Sequence, residues 1–366
     1  MTAILPQVDL GRIVKLAEFE PLARAVMEPT AYDYVAGGGW DEQSVAEAEA
    51  AWRRRRLRPR VLVDVSQIDP STTMAGSRVS LPVGIAPMAA HGLAHPDAEI
   101  ATARAAAAAG VPIAVSTMSS RSIEDIAAAA PDGLRWFQLY VQHEPGRTRD
   151  LVDRAEAAGY GAILVTVDLP VLGYRDRDLR TGFDLSEGLG NFPDVGPDHG
   201  SHDRSAAAGF RVVTDELDHA LVWSDIATIR SWTTLPVLLK GILTAEDARL
   251  AVDHDVQGIV VSNHGARQLD RAVAPADALE EVVAAVDGRV EVWVDGGVRR
   301  GLDVLTALAL GARGVLVGRP ILYALATAGE AGVARALEIL RQETIIAMAL
   351  LGTPTVADVT RDHVAR

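Results

Sequence analysis

The chain has 366 residues, 49% of them hydrophobic, which is enough for one large core or for two smaller domains. Acidic residues outnumber basic ones by 49 to 35, and a surface with a net charge of -14 repels phosphate backbones and anionic lipids, so we expect neither nucleic acid nor a membrane as a partner. The lack of cysteine in the sequence excludes disulfides, thiolate catalysis and Cys-ligated metals.

The N-terminal sequence MTAILPQVDLGRIVKLAEFE carries acidic residues within its apolar stretch. It lacks the basic start and the apolar block of a signal peptide, and its pattern predicts an amphipathic helix. No apolar run in the sequence reaches the roughly 20 residues that cross a bilayer. We therefore expect a cytoplasmic protein whose residues 1–80 form a helical N-terminal section.

Eight short apolar runs follow, separated in most cases by alanine-rich helical segments such as AEIATARAAAAAG. The runs begin at Val83, Pro112, Arg135, Ala162, Pro236, Gly258, Glu291 and Gly314. Alternating strands and helices predict parallel pairing, and eight strands are the number that closes a (β/α)8 barrel. An open doubly wound sheet would carry a glycine-rich turn after its first strand, where this chain has APMAAHG. The predicted fold is therefore an α/β TIM barrel, with residues 1–366 as a single domain.

The connection after the fourth barrel strand is unusually long. Residues 184–222 are rich in Gly, Pro, Asp, Ser and His, a composition typical of a loop. Long loops that leave the C-terminal ends of barrel strands are commonly lids, so we predict a lid here. His199 and His202 lie within it, but no carboxylate stands at a firm ligand spacing, and no metal site is predicted.

The basic run WRRRRLRPR, from Trp52 to Arg60, has the composition of a nucleic-acid patch. The acidic stretch DEQSVAEAEA stands just before it, and the chain as a whole is negatively charged. We therefore interpret the run as a helix end whose arginines pair with those acidic residues.

Polar residues and glycines cluster where the predicted strands end, which in a (β/α)8 barrel is the face that carries active sites. Each of them has a simpler explanation, since a strand end must meet solvent, but the members of the set complement one another chemically. They are Gln138, Tyr140, Thr166, Asp168, Lys240, Ser262, Asn263, His264, Asp295, Gly296, Gly297, Gly318 and Arg319.

The segments DGGVRRG and GRP follow the seventh and eighth strands, the usual position of a phosphate site in this fold. Their glycines let backbone N–H groups approach a phosphate, and Arg299 or Arg319 adds charge-assisted hydrogen bonds. Lys240 is an isolated cation at the end of the fifth strand. It either opposes negative charge on a cofactor ring or forms a salt bridge in the core.

Arg175 lies just beyond the fourth strand and Arg267 just beyond the sixth. Two guanidinium groups over a barrel mouth match a carboxylate, because each offers it a fork of N–H donors. The alternative is that these arginines pair with Asp176, Asp178 or Asp270 at the surface.

His264 stands near Arg267 in the sequence and is a candidate base, because the ordinary pKa of histidine is close to neutrality. Asp168, on the fourth strand, is placed to orient it and to stabilise an imidazolium. Tyr34 and Tyr140 offer hydroxyl groups to the same anion. A base, a carboxylate clamp, a phosphate-anchored cofactor and an isolated lysine together indicate oxidation of a hydroxy acid.

The segments SNHGARQLD, FQLY, LLKG, DGGVRRG and VGRP, with TVDLP and GYRDRD, resemble the FMN-dependent L-2-hydroxy acid oxidases. This family includes glycolate, lactate and hydroxymandelate oxidases and related dehydrogenases. The resemblance runs in order from AYDYVAGG, near Tyr34, to RQETIIAMALLGTPTV, and so covers nearly the whole chain. Each segment alone is unspecific, but their joint order and spacing are specific.

The resemblance implies that FMN lies across the barrel mouth. Lys240 would then stabilise negative charge on the flavin ring. The residues assigned to FMN are Pro87, Met88, Ala89, Ser116, Gln138, Thr166, Lys240 and Ser262 around the ring, and Asp295, Gly297, Arg299, Gly318 and Arg319 at the ribityl chain and phosphate.

The resemblance also implies the substrate contacts. Arg175, Arg267 and Tyr34 would hold the substrate carboxylate. His264 would be the base and Asp168 its partner. Tyr140 would lie near the substrate hydroxyl.

Met118 stands where relatives carry a tryptophan or tyrosine over the substrate side chain, and a flexible thioether there opens space for a larger or aromatic substituent. Glycolate is thereby disfavoured, while lactate and mandelate-type acids both stay open. Ala89, where some dehydrogenase relatives have glycine, favours O2 as the electron acceptor and H2O2 as the product.

Other functions stay open at this point. A dehydrogenase would pass the electrons to a quinone or a carrier protein, and a flavin-binding barrel without turnover would serve as a sensor or a structural subunit. A barrel that uses FMN on a phosphorylated substrate would lack the carboxylate clamp. Family members are commonly tetramers or octamers, so we expect a homo-oligomer.

Overall fold

The computed structural model describes residues 8–183, 185, 188–192 and 216–365. In them an antiparallel hairpin, β1 (Thr72–Met74) and β2 (Ser77–Val79), precedes eight parallel barrel strands. The barrel strands are β3 (Val83–Ile85), β4 (Ile113–Ser116), β5 (Arg135–Leu139), β6 (Ile163–Thr166), β7 (Val237–Ile242), β8 (Gly258–Val261), β9 (Glu291–Asp295) and β10 (Gly314–Val317). They pair in chain order, and β10 pairs with β3 to close the barrel, so the predicted TIM barrel is confirmed.

Helices surround the barrel. Those before it are α1 (Phe19–Val26), α2 (Pro29–Ala36) and α3 (Gln43–Arg53). Those that follow are α4 (Ala98–Ala109), α5 (Ile123–Ala129), α6 (Pro145–Ala157), α7 (Asp176–Thr181), α8 (Trp223–Arg230), α9 (Ala245–Asp253), α10 (Pro275–Val286), α11 (Gly301–Ala309) and α12 (Arg319–Leu351). Helix α12 breaks at Ala328 and Gly329, and it packs on α1 and α4.

The barrel strands are apolar because both of their faces are covered. Every residue of β4, β6, β8 and β10 is buried, as expected for parallel strands between an outer ring of helices and a filled interior. Inside the barrel, the ring centroids of Trp136 and Trp293 lie 5.5 Å apart. Gly258 leaves room for this packing, since a Cβ at that position would lie 2.2 Å from the Trp293 ring.

The β1–β2 hairpin closes the bottom of the barrel. Met74 and Val79 are fully buried in the same apolar cluster as Trp136 and Trp293. A Cβ at Gly314, the first residue of β10, would lie 3.1 Å from Met74 Cε, so the hairpin sits at the N-terminal ends of the strands. The prediction of a helical section over residues 1–80 therefore missed this hairpin. Strands of three residues are too short for a recognisable period.

Helix α3 docks at the other end of the barrel, where the strands finish. Its first turn is capped by Asp270, whose carboxylate accepts hydrogen bonds from the backbone N–H groups of Gln43 and Ser44. Near its last turn, Trp52 Nε1 donates to the carbonyl oxygen of Gly296 at 2.8 Å. These contacts fix α3 over the loops after β8 and β9.

The basic run at the end of α3 forms ion pairs. Arg53 pairs with Glu49 at 2.6 Å and Arg54 with Glu47 at 2.5 Å, both within the acidic stretch. Arg54 also pairs with Asp277 of α10. The interpretation of this run as a paired helix end is confirmed for these two arginines.

Most of the predicted lid, residues 184–222, lies outside the described residues, as do His199 and His202. The end of the segment is described. Leu217 forms an isolated antiparallel bridge with Gln142, and the N–H of Asp218 donates to Val141 O at 2.9 Å, so this end runs beside the extension of β5. Within the described parts of the chain, no helix combines the length and the apolarity needed to cross a membrane.

Candidate active site

One cavity at the C-terminal ends of the barrel strands collects nearly all of the predicted site residues. Its lining includes Tyr34, Pro87, Met88, Ala89, Ser116, Met118, Gln138, Tyr140, Thr166, Arg175, Lys240, His264, Arg267, Asp295, Gly297, Arg299, Gly318 and Arg319. The two remaining residues, Asp168 and Ser262, hydrogen-bond to side chains of this lining. The structure thus brings the whole predicted set together, whatever role each member plays.

His264 is held from three sides at the end of β8. Its Nδ1 lies 2.8 Å from Asp168 Oδ1, and its Nε2 lies 3.3 Å from the Tyr140 hydroxyl. Its backbone N–H donates to Ser262 Oγ at 3.0 Å. The φ angle of His264 is 60°, in the left-handed region that side chains rarely adopt, and strain of this kind is typical of functional positions.

The electrostatics favour a neutral imidazole beside an ionised carboxylate. Burial lowers the pKa of His264 below its ordinary value, and Asp168 opposes that effect only in part. Burial works to raise the pKa of Asp168, but its interactions with His264, which include the hydrogen bond to Nδ1, and with the Lys240 ammonium outweigh burial, and the net shift is downward. Neutral His264 with Nδ1–H donated to Asp168 leaves Nε2 as a lone-pair base facing the cavity. Burial raises the pKa of Tyr140, so its hydroxyl keeps its proton and donates to that nitrogen.

Gly241 was not predicted, and it sets the position of Asp168. Its φ is 116°, in a register shift of β7, and an added Cβ would lie 2.5 Å from both Cβ and Cγ of Asp168. Only a residue without a side chain allows the carboxylate to lie against β7 and reach His264. The glycine of LLKG was visible in the sequence, but its contact with another strand was not.

Lys240 is buried in a polar cluster at the end of β7. Its Nζ donates to Ser262 Oγ at 2.9 Å and lies 3.4 Å from Asp295 Oδ2. Burial works to lower the pKa of Lys240, but Asp295 and Asp168 raise it above its ordinary value, so the ammonium stays charged. Lys240 thus forms the core ion pair of one alternative and also lines the cavity, and its action on a cofactor ring stays a prediction.

A second polar chain crosses the ends of β4, β5 and β6. Gln138 Nε2 donates to Thr166 Oγ1 at 3.0 Å, and its Oε1 accepts from Ser116 Oγ at 3.2 Å. Ser116 Oγ in turn accepts from the N–H of Met118. This chain fixes the rotamers of three buried polar side chains that face the cavity.

The arginines of the predicted clamp lie on the same side of the cavity. Arg175 Nε donates to Arg267 O at 3.1 Å, and Arg267 Nη1 donates to the carbonyl oxygens of Tyr34 and Gly37. The Arg267 guanidinium also lies over the Tyr34 ring, 4.7 Å from its centroid. Burial, followed by the nearby charge of Arg267, lowers the pKa of Arg175 to about 10. A buried guanidinium group beside a second one forms a site that an anion would stabilise.

The alternative pairings of these arginines hold only in part. Asp270 caps α3, and Asp176 pairs with Arg180. Asp178 lies 3.8 Å from Arg175 Nη1, a long ion pair. Gln268, which sequence reasoning passed over, is a further neighbour: its Oε1 accepts from Gly173 N–H at 3.0 Å and lies 3.5 Å from Arg175 Nη2.

The far end of the cavity carries the residues predicted for a phosphate. Gly318 is the N-cap of α12, so the positive end of a long helix faces the cavity. Arg319 donates to the carbonyl oxygens of Val35 and Gly37, and burial lowers its pKa to about 10. Arg299 pairs with Glu49 of α3 at 3.1 Å. Both arginines therefore line the cavity while bonded to the N-terminal helices.

Comparison with known proteins decides the family. A family model described as FMN-dependent dehydrogenase matches residues 23–366. The chain belongs to this family.

Relatives within the family are named as oxidases. Glycolate oxidase 1 of Zea mays is 48% identical over 97% of this chain and 96% of its own, and glycolate oxidase of Spinacia oleracea is 46% identical over 96% of each. A solved structure of mandelate oxidase is 45% identical, covers 96% of this chain and 98% of its own, and superposes with a TM-score of 0.88. These matches confirm the predicted family, FMN as the cofactor and the oxidation of a 2-hydroxy acid.

The residues in the cavity fit FMN, the cofactor of this family. Beside Lys240, the buried atom Asp295 Oδ1 has no hydrogen-bond partner among the described residues, and Asp295 lines the cavity, which suits a ligand rich in hydroxyl groups. At the other end, the α12 N-terminus and Arg319 suit a phosphate. The assignment of single residues to the ring, the ribityl chain and the phosphate stays a prediction.

Proposed function

We propose that this chain oxidises an (S)-2-hydroxy acid with an apolar side chain to the 2-oxo acid, with O2 as the final acceptor and H2O2 as the second product. The observation that supports it best is the geometry around His264. Its Nε2 faces the cavity beside the Tyr140 hydroxyl, and Arg175 and Arg267 line the same cavity. A base and a carboxylate-binding group at one wall are what a 2-hydroxy acid requires.

Each protein group has one task in this proposal. Arg175 and Arg267 bind the substrate carboxylate through charge-assisted hydrogen bonds and thereby turn the hydroxyl-bearing carbon toward His264. The oxidation removes two protons and two electrons from the substrate. His264 Nε2 accepts one proton, Asp168 stabilises the imidazolium that results, and the other proton leaves with the electrons. FMN, when bound, supplies the acceptor for these two electrons. Tyr140, whose hydroxyl lies 3.3 Å from His264 Nε2, donates to the substrate oxygen instead once the substrate lies against that nitrogen.

Lys240 has an electrostatic task. It stays an ammonium because Asp295 and Asp168 surround it, and it lies within the polar cluster that lines the cofactor end of the cavity. A fixed positive charge in a buried site stabilises negative charge that develops during the reaction, at little reorganisation cost.

The apolar part of the wall supports a substrate with a carbon side chain. Met118, Leu169, Leu185 and Leu217 line the cavity near Tyr140. Burial of a methyl or phenyl substituent against these side chains stabilises a lactate- or mandelate-type acid more than glycolate, which has none.

Anaerobic mixing with substrate tests the proposal. The FMN-loaded protein is mixed without O2 with lactate, mandelate, 4-hydroxymandelate and glycolate, in both enantiomers where they exist, and flavin absorbance is followed. We expect rapid bleaching by (S)-lactate or an (S)-mandelate and slower bleaching by glycolate. Bleaching by none of these acids would exclude the proposed substrate class.

Admission of air separates an oxidase from a dehydrogenase, which the family description leaves open. An oxidase regains its yellow colour within the turnover time and releases one H2O2 per 2-oxo acid. A dehydrogenase that uses a quinone or a carrier protein stays bleached until such an acceptor is added.

A cytoplasmic location and a homo-oligomer of four or eight subunits belong to the same proposal. Fractionation of the source cells tests the location. Light scattering coupled to gel filtration of the FMN-loaded protein tests the subunit number.

A further inference from the structure

A second cavity adjoins the substrate cavity. It measures about 870 Å3, including its opening to solvent, and it lies between the loop after β6, the end of β7 and the segment that leads into α8. The two cavities share four lining residues, Tyr140, Thr166, Leu169 and Leu217. We call the second cavity the side chamber.

These four shared residues form the partition between the two cavities, and Leu169 and Leu217 are its apolar members. The backbone of Leu217 is fixed by its bridge to Gln142 and by the bond from Asp218 N–H to Val141 O. The Leu217 side chain is only 5% exposed. A leucine side chain on a fixed backbone still has alternative rotamers, so its size and rotamer set how far the two spaces communicate.

The side chamber is apolar where it meets the partition and polar where it meets solvent. Its apolar lining comprises Val141, Val167, Leu169, Pro170, Leu217, Leu221, Val222, Trp223, Ile226 and Ile242. Its charged or titratable members are Asp218, His219 and Asp247, all of which are exposed or half-exposed. Such a wall stabilises hydrocarbon, and its two carboxylates repel a second carboxylate on a ligand.

We propose that the side chamber receives the distal end of the substrate side chain and that Leu217 sets the length of side chain the enzyme accepts. This inference rests on the proposed function. It extends that function from short or aryl acids to medium-chain aliphatic and arylalkyl 2-hydroxy acids. It excludes acids with a second carboxylate at the end of the chain.

The expected dependence on chain length follows from hydrocarbon transfer. Each methylene that leaves water for an apolar wall improves binding by roughly fourfold. We therefore expect kcat/KM of the wild type to rise along the unbranched (S)-2-hydroxy acids beyond the three carbons of lactate. The terminal dicarboxylate of similar length should fall well below its monocarboxylate counterpart.

Variants on the two sides of the partition test the role of Leu217. Leu217→Ala widens the passage between the two cavities. The ratio of kcat/KM for 2-hydroxyoctanoate to kcat/KM for lactate should then rise by roughly tenfold, because one to two more methylenes of the longer acid are held in the side chamber. Leu221→Trp fills the chamber from a position that lines it but does not line the substrate cavity, and should lower the same ratio by a similar factor. Leu250→Ala, a partly exposed position of α9 outside both linings, is the matched control and should leave the ratio unchanged.

The outcomes separate this inference from the proposed function. If no 2-hydroxy acid bleaches the flavin, the proposed function fails. If lactate bleaches the flavin but neither Leu217→Ala nor Leu221→Trp moves the length ratio, the proposed function stands and the side chamber takes no part in substrate binding. FMN content and melting temperature of each variant show whether it is folded. If one variant does not fold, the ratio in the other decides.

Discussion

The two working sides of the cavity are built in different ways. On the base side, His264, Asp168 and Gly241 lie at the ends of neighbouring barrel strands. His264 contacts the Asp168 carboxylate, and the Asp168 side chain lies against Gly241. On the arginine side, Arg267 and Arg319 donate to backbone carbonyls at the end of α2, a helix from outside the barrel. The barrel strands therefore fix the position of the base. The N-terminal helices fix the orientation of the guanidinium groups.

The two sides also differ in charge balance. Asp168 offsets the imidazolium that forms on His264, so the base side is nearly neutral during turnover. On the arginine side, neutral carbonyl groups accept most of the hydrogen bonds. Burial, followed by the like charge of Arg267, lowers the pKa of both Arg175 and Arg319. We infer that bound anions balance the positive charge of the arginine side, whereas the charges of the base side are balanced by Asp168 without a ligand.

Removal of the base should have the largest effect. We expect His264→Ala to slow flavin reduction by about 1,000-fold, within the range contributed by a general base. Stopped-flow absorbance under anaerobic conditions measures this rate. Because His264 makes no contact with the predicted phosphate end, the variant should keep its FMN, which the ratio of flavin to protein absorbance checks. Normal reduction by any good substrate would remove His264 from the mechanism.

Replacement on the arginine side should come second. Arg175→Lys keeps the charge but loses the fork of donors, so kcat/KM should fall by roughly 100-fold, the value of charge-assisted hydrogen bonds. Most of the loss should appear in KM. Steady-state peroxide assays over a range of substrate concentrations separate KM from kcat.

Arg180→Lys is the matched control for this replacement. Arg180 lies on α7 near Arg175, but its exposed guanidinium pairs with Asp176. The control should change kcat/KM by less than about twofold, as expected for a surface ion pair. An equal loss in both variants would show that α7, and not the clamp, is being disturbed.

The smallest of the three effects concerns Gly241. In Gly241→Ala the new methyl group displaces Asp168, so the imidazolium loses its partner and the rate of flavin reduction should fall by roughly tenfold.

The pH profile of Gly241→Ala should change as well. Neutral His264 is the active form, and its lowered pKa places the acid limb of kcat/KM below 6.5, with activity lost as pH falls through it. Since Asp168 raises that pKa, its displacement should move the limb to still lower pH.

Gly311→Ala distinguishes this effect from backbone strain. Gly311 has a φ of 102°, and an added Cβ would lie 2.6 Å from Val283 Cγ1, far from the cavity. It should lose stability like Gly241→Ala but keep the wild-type pH profile. An unmoved acid limb in folded Gly241→Ala would mean that Asp168 keeps its place.

The barrel and the members of the site could be predicted from the sequence because parallel strands end at one face. Residues such as Thr166, Lys240 and His264 follow apolar runs, and the closure of the barrel brings those ends together. The predicted pairing of Arg53 and Arg54 also followed from local sequence, since their partners Glu49 and Glu47 stand in the same helix.

Other features depend on contacts between distant backbone atoms, which leave no trace in composition. Arg267 and Arg319 share the carbonyl oxygen of Gly37, an acceptor that every residue type carries. Gly241 matters only because the Asp168 side chain passes over it. Leu217, near the end of the long insertion, forms a β-bridge with Gln142, which follows β5. No periodicity in either segment predicts that these two residues pair.

The hairpin at the bottom of the barrel also bears on how the chain folds. Its strands pair over a few residues, Thr72 with Val79, whereas closure of the barrel joins Val83 to Val315. Because closing a short loop costs less entropy than closing a long one, we expect the hairpin to pair before the barrel closes. Met74 and Val79 then offer an apolar surface on which Trp293 and the last strands assemble. On this expectation, the N-terminal section supplies the apolar surface against which the barrel closes.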